Sequence, residues 1–282
     1  VFAIAASLAF KDAFYCPLGK EDAANRAKLE LGLGHYSDHI ALAEALKQYE
    51  KALGDGTAGR FCYENFLSRS TLKLLSEMKS QFAKHLHEMN FLESADPSDR
   101  RSNKNSRNFS LIKAIVCAGL FPNVAMIKNC KHYPRLKTPE DGTVKIHPSS
   151  INARAKSLPT SFATYYLKQK STAIYVHDVT CVDEMALIFA APKSCIRKQK
   201  SRSLIVLNDS ISFLCKQSTA ELVMRLKKDM DELLEHKISH PDTIKSHSRE
   251  DLVIRAILRI LSADDYDGDL EHGMWRPLSE NW

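Results

Sequence analysis

The stretch from residue 162 to residue 179 reads FATYYLKQKSTAIYVHDV, two short apolar and aromatic runs joined by a basic, hydroxyl-rich segment. β-Branched and aromatic residues favour strands, and each run is as long as one strand. Further short apolar runs lie at 124–127, 144–147, 185–191, 204–207 and 211–214. Turn signals separate several of these runs. About five short strands without crossover helices between them favour a small closed barrel over a parallel sheet.

Helical periodicity dominates the chain on both sides of this strand-rich segment. Before it, apolar residues recur at steps of three and four after Ser37 and again after Ser70, which we expect to cap two helices. A short helix is predicted at 111–118, with Gly119 directly after its end. Two amphipathic helices are predicted after the strands, at 222–234 and 252–261. The sequence therefore predicts an α+β protein with a helical bundle, a small β-barrel and C-terminal helices, in that order.

Charge is distributed unevenly along the 282 residues. The whole chain carries a formal charge of +6, but residues 1–99 carry −3, residues 100–203 carry +14 and residues 204–282 carry −5. The aromatic residues interleaved with the cations of the middle third are Tyr133, Phe162, Tyr165, Tyr166 and Tyr175. Cations on the loops of a small barrel suit a polyanion, because each neutralised phosphate releases condensed counterions. The pattern predicts nucleic-acid binding; the alternatives are a merely basic surface and burial of at least half of these aromatics.

Patterns of other function classes are missing from the sequence. No G-x-G-x-x-G, H-E-x-x-H or G-x-S-x-G occurs, so we expect no catalytic residues. His85 and His87 point to different faces of a helix, and His236 with His240 lacks a third ligand, so we expect no metal site. The acidic segment 264–271 does not have the spacing of a calcium-binding loop.

The cysteines and the apolar N-terminus indicate the cellular compartment of the protein. The seven cysteines are widely scattered and form no C-x-x-C pair, which favours a reducing, intracellular compartment. The apolar opening at 1–10 is too short to span a bilayer and has no positive residues before it, so we expect no membrane partner. Because the chain begins within an apolar helical segment and without methionine, we interpret it as a piece of a longer protein.

Several short motifs follow one another along nearly the whole chain: AIAASL at 3–8, PLGK at 17–20, SDH at 37–39, FC at 61–62, NFL at 65–67, KAIVCAGLFPNVA at 113–125 and VKIHPSSIN at 144–152. Together they resemble the region that follows the helicase core in DEAH-box RNA helicases. The resemblance is closest to the animal branch that includes the G-quadruplex-resolving helicase. The departures are Ala13, where relatives usually have proline, the absence of tryptophan from 204–214, and an unmatched tail containing Trp275 and Trp282.

The resemblance implies a division into four parts. These are the end of a degenerate winged helix with the entry to a ratchet domain at 1–36, a helical ratchet domain at 37–110, an oligonucleotide-binding (OB) barrel at 111–215, and a C-terminal helical extension with an acidic tail at 216–282. In the family, the ratchet and OB domains line the exit of a single-stranded RNA channel, and upstream domains bind ATP and Mg²⁺. This chain alone carries no ATPase motif, so we expect it to be no enzyme and to hold no cofactor. The expected partners are single-stranded RNA or DNA, a G-quadruplex as a further candidate, and the helicase core of its own parent protein, in the cytoplasm, the nucleus or both.

Matching the family's motifs residue by residue gives a set of expected nucleic-acid contacts. They lie in the Asn- and Ser-rich loop before the barrel, at the HPSS strand end, and in a basic loop with Ser and Thr. The residues are Ser102, Asn103, Asn105, Ser106, His147, Ser149, Ser150, Lys168, Lys170, Ser171 and Thr172. Amide and hydroxyl donors suit sugar and phosphate contacts, which fix register without reading sequence. For His147 the alternative is packing at the strand end, and segment 37–39 favours helix capping over RNA contact.

A second function class stays open. The acidic C-terminal helices could recruit proteins while the basic barrel docks onto its own helicase core. Charge reversal at Lys168 and Lys170 separates the two readings, because it abolishes RNA binding only under the first. A metal-dependent nuclease has no supporting motif.

Overall fold

The structure is a computed structural model that describes residues 1–192, 194–199, 202–241, 244, 247–262 and 276–277. Helices come first, a closed barrel follows, and a second sheet with further helices comes last. The predicted α+β class, with a helical bundle, a small barrel and C-terminal helices, is confirmed. The acidic segment 264–271, Trp275 and Trp282, singled out in the sequence, lie outside the described residues.

Residues 1–108 form the helical bundle. Its helices are α1 (Phe2–Leu8), α2 (Glu21–Leu31), α3 (Asp38–Gly54), α4 (Ala58–Glu64) and α5 (Arg69–Glu88). Apolar side chains three and four residues apart on α3 and α5 bury one face of each helix in a shared core. Leu46, Tyr49, Leu72 and Leu75 are its largest fully buried members. These residues belong to the two stripes that the sequence predicted.

Side-chain caps fix where the two longest helices of the bundle begin. Ser37 Oγ accepts a hydrogen bond of 3.1 Å from the N–H three residues later, so the predicted cap of α3 is confirmed. The predicted cap of α5 at Ser70 is wrong, because Ser68 Oγ accepts the Thr71 N–H at 3.3 Å. Ser68 N–H also donates to the Ala13 carbonyl, so the helix begins directly where that extended contact ends.

Residues 109–182 contain helix α6 and the closed barrel. The elements are α6 (Phe109–Leu120), β1 (Val124–Asn129), β2 (Pro134–Thr138), β3 (Gly142–Ile146), β4 (Phe162–Lys170) and β5 (Ile174–Val182). The strand order is β1-β2-β3-β5-β4 with closure of β4 on β1, and β3 with β5 is the one parallel pair of this barrel. The sequence did not predict β2, because Leu136 is its single buried aliphatic residue.

Two predictions next to the barrel are wrong. The segment 185–191, predicted as a strand, is helix α7 (Glu184–Ala190). Leu187, Ile188 and Phe189 of this helix are all buried. A run that is apolar on every side has no hydrophobic periodicity, so the sequence pattern could not distinguish a helix from a strand here. Gly119 lies inside α6, which ends at Leu120 because the nearby Pro122 cannot continue a helix.

A second sheet and the last helices follow. The sheet contains β6 (Ser194–Gln199), β7 (Arg202–Leu207), β8 (Ile211–Cys215) and β9 (Arg276–Pro277), paired antiparallel in chain order. Helices α8 (Gln217–Ser239) and α9 (Arg249–Leu261) share one core with α7 and this sheet. The segment 111–215, predicted as the OB barrel, therefore holds a barrel that ends at Val182 and then strands of a separate sheet.

Two sequence patterns concern metals and membranes. Among the described residues, no group of three His, Cys, Asp or Glu side chains could hold a metal ion, and the rings of His236 and His240 stack with centroids 5.0 Å apart. None of the described helices combines the length and the apolarity needed to cross a bilayer.

Candidate nucleic-acid interface

The outer surface of β1, β2 and β3 carries a row of cations. Because side chains alternate along a strand, the pattern that buries Leu136 and Val144 places the cations of β2 and β3 on the outside. We call this surface the cationic face, and its members are Lys128, Arg135, Lys137 and Lys145. Lys128 stands directly opposite Arg135 in the β1–β2 ladder. Like charges facing each other across a ladder are unfavourable.

Carboxylates of the barrel lie elsewhere. Between residues 124 and 182 the sequence contains only Glu140, Asp141 and Asp178. Glu140 and Asp141 both contact the ammonium of Lys168, and Asp178 lines a cleft against the helical bundle. Among the described residues, Arg135 and Lys145 of the cationic face form no ion pair with these carboxylates.

The loop between β1 and β2 adds an aromatic ring to the cationic face. Tyr133 is 57% exposed, and the guanidinium carbon of Arg135 lies 5.9 Å from its ring centroid. Lys131 and His132 are exposed in the same loop. An exposed ring flanked by cations can stack on a base while the cations contact the adjoining phosphates. The set of contacts expected from the sequence missed this loop, although the alternation of cations and aromatics in KHYPR at 131–135 was a visible signal.

His147 belongs to a small ring cluster where β3 ends. Its imidazole stacks on His177 with centroids 4.0 Å apart and meets the Tyr175 ring edge-on at 5.9 Å. His147 Nδ1 lies 2.7 Å from Ser149 Oγ. Tyr175 stands opposite Lys145 in the β3–β5 ladder, so the cluster adjoins the cationic face.

Both imidazoles of this cluster are held in the neutral form. Burial lowers the pKa of His147 below its ordinary value, and the charge of Lys28 lowers it further. Burial also lowers the pKa of His177, with His147 as the next cause. At neutral pH the pair therefore offers uncharged ring surfaces and ring nitrogens to a ligand, and the cations of the strands supply the charge.

Ser150 has a different role from the rest of the HPSS motif. Its side chain is buried, and Ser150 Oγ donates a hydrogen bond of 2.5 Å to Asp38 Oδ2 at the start of α3. Asp38 also accepts the N–H of Ile151 at 2.9 Å and of Val179 at 2.8 Å. Lys28 Nζ lies 3.5 Å from Asp38 Oδ1. This motif thus joins the barrel to the bundle through Ser150 and reaches the surface through His147 and Ser149.

The basic loop between β4 and β5 is only partly available to a ligand. Lys170, Ser171 and Thr172 are exposed. Lys168 contacts Asp141, and its ammonium lies 3.6 Å from Glu140. The hydrogen bond to Asp141 raises the pKa of Lys168 above its ordinary value, so this lysine is charged but already paired.

The Asn- and Ser-rich loop is exposed and bonded mainly to itself. Ser102, Asn103, Asn105 and Ser106 all face solvent. Asn103 Nδ2 donates to the Pro97 carbonyl at 2.8 Å and to the Asp99 carbonyl at 2.9 Å. Asn108, just after this segment, caps α6 and donates to Ser262 Oγ at the end of α9. The structure thus anchors the loop at its C-terminal end, and its contact with a nucleic acid stays a prediction.

Comparisons with known proteins agree with this architecture. The chain matches a family model described as an oligonucleotide/oligosaccharide-binding (OB) fold over residues 112–207. It matches a second model, the C-terminal domain in RNA helicases, over residues 203–263. In OB folds, the face of the second and third strands and the adjoining loops bind oligonucleotides, and these elements carry the cationic face here.

Full-length relatives extend well beyond the matched region. The chain is 37% identical over 274 residues to the mouse ATP-dependent DNA/RNA helicase DHX36, covering 94% of this chain and 27% of the relative. The human protein of the same name is 36% identical with the same coverage. The DExH-box ATP-dependent RNA helicase DExH1 of Arabidopsis thaliana is 34% identical over 238 residues, 84% of this chain and 24% of the relative. The chain spans about a quarter of the length of these relatives.

Proposed function

Because this chain is homologous to the C-terminal region of DEAH-box (DExH) RNA helicases, DHX36 among them, we propose that it holds a single strand of RNA or DNA at the exit of a helicase channel. The exposed cations Arg135 and Lys145 on the cationic face of the barrel carry this proposal. Phosphates bind there through Arg135, Lys145 and their neighbours. Tyr133 supplies a stacking surface for one base.

Such an interface recognises the backbone more than the base sequence. Phosphate contacts set the position of a strand and carry no sequence information, and every base has a ring face that can stack on tyrosine. We therefore expect short oligonucleotides of different sequence to bind with similar affinity. A helicase that translocates along many sequences requires this kind of grip.

Salt dependence tests the electrostatic part of the proposal. For single strands, each phosphate neutralised contributes about 0.7 to the slope of log affinity against log salt. If the four cations of the cationic face each contact a phosphate, affinity for a 12-residue oligouridine falls about 50-fold between 50 and 200 mM salt. Fluorescence anisotropy of a labelled strand measures this change. A flat response would remove the proposal.

Charge reversal tests the location of the interface. We expect Arg135→Glu with Lys145→Glu to weaken oligouridine binding more than about tenfold, because two phosphate contacts become repulsions. The matched control is Arg26→Glu with Lys51→Glu, two exposed cations of the helical bundle. Equal losses in both double variants would show that net charge, and not this face, controls binding.

In this proposal, ATP hydrolysis is carried out by other domains of a longer protein. ATP and Mg²⁺ would act in the helicase core of a longer protein, to which this chain would be joined in the cytoplasm, the nucleus or both. We expect the isolated chain to release no phosphate from ATP, with or without RNA. Release of phosphate that survives purification to homogeneity would overturn this part.

A folded G-quadruplex is a finer candidate for the ligand. It presents the same phosphates as a single strand but hides its bases in stacked tetrads. If both ligands bind only through the cationic face, a G-quadruplex and oligouridine should compete with each other. Their affinities should also fall with salt at similar slopes. Tighter G-quadruplex binding that survives Arg135→Glu with Lys145→Glu would locate its recognition elsewhere in the chain.

A docking module is the second candidate function, and exposed apolar residues on the last helices favour it. Leu222 and Ile238 of α8 are 67% and 70% exposed. A cleft between α8 and α9 has acidic lining residues that include Glu232 and Glu250. Reversing Lys168 and Lys170 to glutamate separates the candidates, because it weakens RNA binding under the first and spares it under the second.

A further inference from the structure

A polar cleft lies between the helical bundle and the barrel, apart from the cationic face. It holds a volume of about 70 Å³, room for a small polar group. Its charged and titratable lining residues are Asp12, Lys28, Asp38, His39, Tyr166 and Asp178. The cleft contains three carboxylates and one ammonium, so its sign is opposite to that of the cationic face.

Two of these charges are fully engaged with the protein itself. Asp38 accepts three hydrogen bonds from the barrel and an ion pair from Lys28. Lys28 Nζ also donates to the Ser149 carbonyl at 3.0 Å and lies 3.9 Å from Asp12 Oδ2. Lys28 is therefore shared among Asp38, Asp12 and the Ser149 carbonyl, and its charge also opposes the rise in the pKa of Asp178.

Asp178 differs from the other two carboxylates of the cleft, because its side chain accepts no hydrogen bond from the described residues. Within the described part of the chain, no donor lies within hydrogen-bond or ion-pair distance of its side chain. Its backbone has φ +53°, a left-handed conformation within β5. Burial, with the nearby Asp38 as the next cause, raises the pKa of Asp178 to about 6. A half-buried acid without a donor destabilises the free protein unless a cation reaches it.

His39 supplies a second, independent signal in the same cleft. Its ring is 3% exposed, and Nδ1 lies 2.7 Å from Thr180 Oγ1. Nε2 of the same ring is buried and has no hydrogen-bond partner among the described residues. Burial lowers the pKa of His39 to about 4, so the ring is neutral at pH 7. When Nδ1–H donates to Thr180, Nε2 is an acceptor.

We propose that this cleft binds the cationic head group of a lysine or arginine side chain from a protein partner, with the Asp178 carboxylate as counter-ion and His39 Nε2 as a further acceptor. Net negative charge excludes phosphate. In the tautomer in which Nδ1–H donates to Thr180, both free groups are acceptors and require a cation that carries N–H donors. Aromatic rings of Phe10, Phe14 and Tyr166 line the same cleft and suit an organic cation; Lys28 Nζ already lies 5.0 Å from the Phe14 ring centroid.

The test uses methylammonium and methylguanidinium chloride as probes of the two head groups. Sodium chloride keeps ionic strength constant, and NMR follows the His39 ring and Asp178 carboxyl signals of the whole chain. We expect a saturable shift of both signals with at least one probe. Tetramethylammonium, which has no N–H donor, should bind more weakly than either probe, and potassium chloride should leave both signals unchanged. The absence of any saturable shift, or an equal shift with potassium, would overturn the proposal.

Substitutions in the cleft test which residues bind the methylammonium and methylguanidinium probes. Asp178→Asn keeps the volume and tolerates left-handed backbone, and we expect it to weaken probe binding at least tenfold. Asp22→Asn, an exposed carboxylate on α2, is the matched control and should bind the probe as the parent chain does. Asp12→Asn, at the exposed rim of the cleft, provides a second variant with a smaller expected loss. An unchanged response in both Asp178→Asn and Asp12→Asn contradicts the assignment.

This site is independent of the proposed nucleic-acid grip. Arg135→Glu with Lys145→Glu should weaken oligouridine binding more than about tenfold and leave the probe response intact. A lysine- or arginine-containing partner should then compete with the probe and not with oligouridine. Loss of probe binding in that variant would contradict a separate site.

Discussion

The joint between the bundle and the barrel and the cationic face of the barrel both contain charged side chains, but they use them in opposite ways. At the joint, Lys28 is 6% exposed and shares its ammonium among Asp38, Asp12 and the Ser149 carbonyl. On the cationic face, Lys145 is exposed and forms no ion pair within the part of the chain that the structure describes. The same residue type therefore serves structure in one region and ligand binding in the other.

Burial explains the difference. A charge removed from water is tolerated only when partners replace its hydration, so a buried cation is committed to those partners. An exposed cation keeps its hydration and can exchange it for a phosphate at little cost. Changes at the joint should consequently appear in stability, and changes on the cationic face should appear in binding.

Asp38→Ala should cause the largest effect, because it leaves Lys28 buried with too little counter-charge and removes the acceptor of Ser150, Ile151 and Val179. We expect the free energy of unfolding to fall by about 3–5 kcal/mol. Urea unfolding followed by circular dichroism measures this loss. Asp22→Ala is the control, because Asp22 forms an exposed ion pair with Arg154 and its removal should change stability little. Equal effects would contradict the contrast between joint and surface.

Asp178→Asn should stabilise the protein in a pH-dependent way. Burial raises the pKa of Asp178 to about 6, so the folded state holds this proton more tightly than the unfolded chain does. The wild type therefore loses stability as pH rises from about 4 through about 6. Above that range the variant should be about 3 kcal/mol more stable, and below pH 4 the gain should vanish. Thermal unfolding across this pH range measures the difference, and a gain that is constant with pH would contradict it.

Tyr133→Ala should affect binding and leave stability unchanged. Loss of one stacked base costs about 1.5 kcal/mol, a roughly tenfold rise in Kd for oligouridine. Tyr63→Ala on α4 is the matched control, because Tyr63 is 74% exposed and lies in the helical bundle. Fluorescence anisotropy should detect a loss only in the first variant. A similar loss in both would mean that exposed tyrosines bind the strand without regard to position.

Lys170→Gln should have the smallest effect on oligouridine binding. It allows an exposed lysine and a paired lysine, Lys168, to be compared within one loop. If Lys170 contacts one phosphate, its neutralisation lowers the salt slope by about 0.7. Lys168→Gln should change the slope less, because Lys168 is already paired with Asp141. Titrations at four salt concentrations separate the two variants. A larger change for Lys168 would show that the ligand displaces Asp141.

Helices with a clear stripe were predictable from sequence, and elements without one were not. The apolar spacing of α3 and α5 gave both helices and most of their core. Helix α7 is buried all round, so its run of apolar residues carried no period. Strand β2 was not predictable because it has too few apolar residues: cations occupy its outer positions, and Leu136 is its one aliphatic residue on the inner side.

The candidate site was predictable as a region but not residue by residue. The charge of residues 100–203 indicated the cationic barrel, and the family motif gave His147 and Ser149 as contacts that stay predictions. Sequence could not show that Ser150 and Lys168 are engaged, because their partners Asp38 and Asp141 lie 112 and 27 residues away. The family motif also gave no role to Tyr133, whose position depends on the β1–β2 turn.

The start of α3 has a mechanical consequence. Ser37 forms a bridge with Thr180, and the next residue, Asp38, holds Ser150, Ile151 and Val179 of the barrel. A pull along α3 is therefore carried directly to β5 and to the end of β3, where His147 sits. These contacts couple the first turn of α3 to the barrel, so we expect a displacement of α3 to be transmitted to the surface that carries His147.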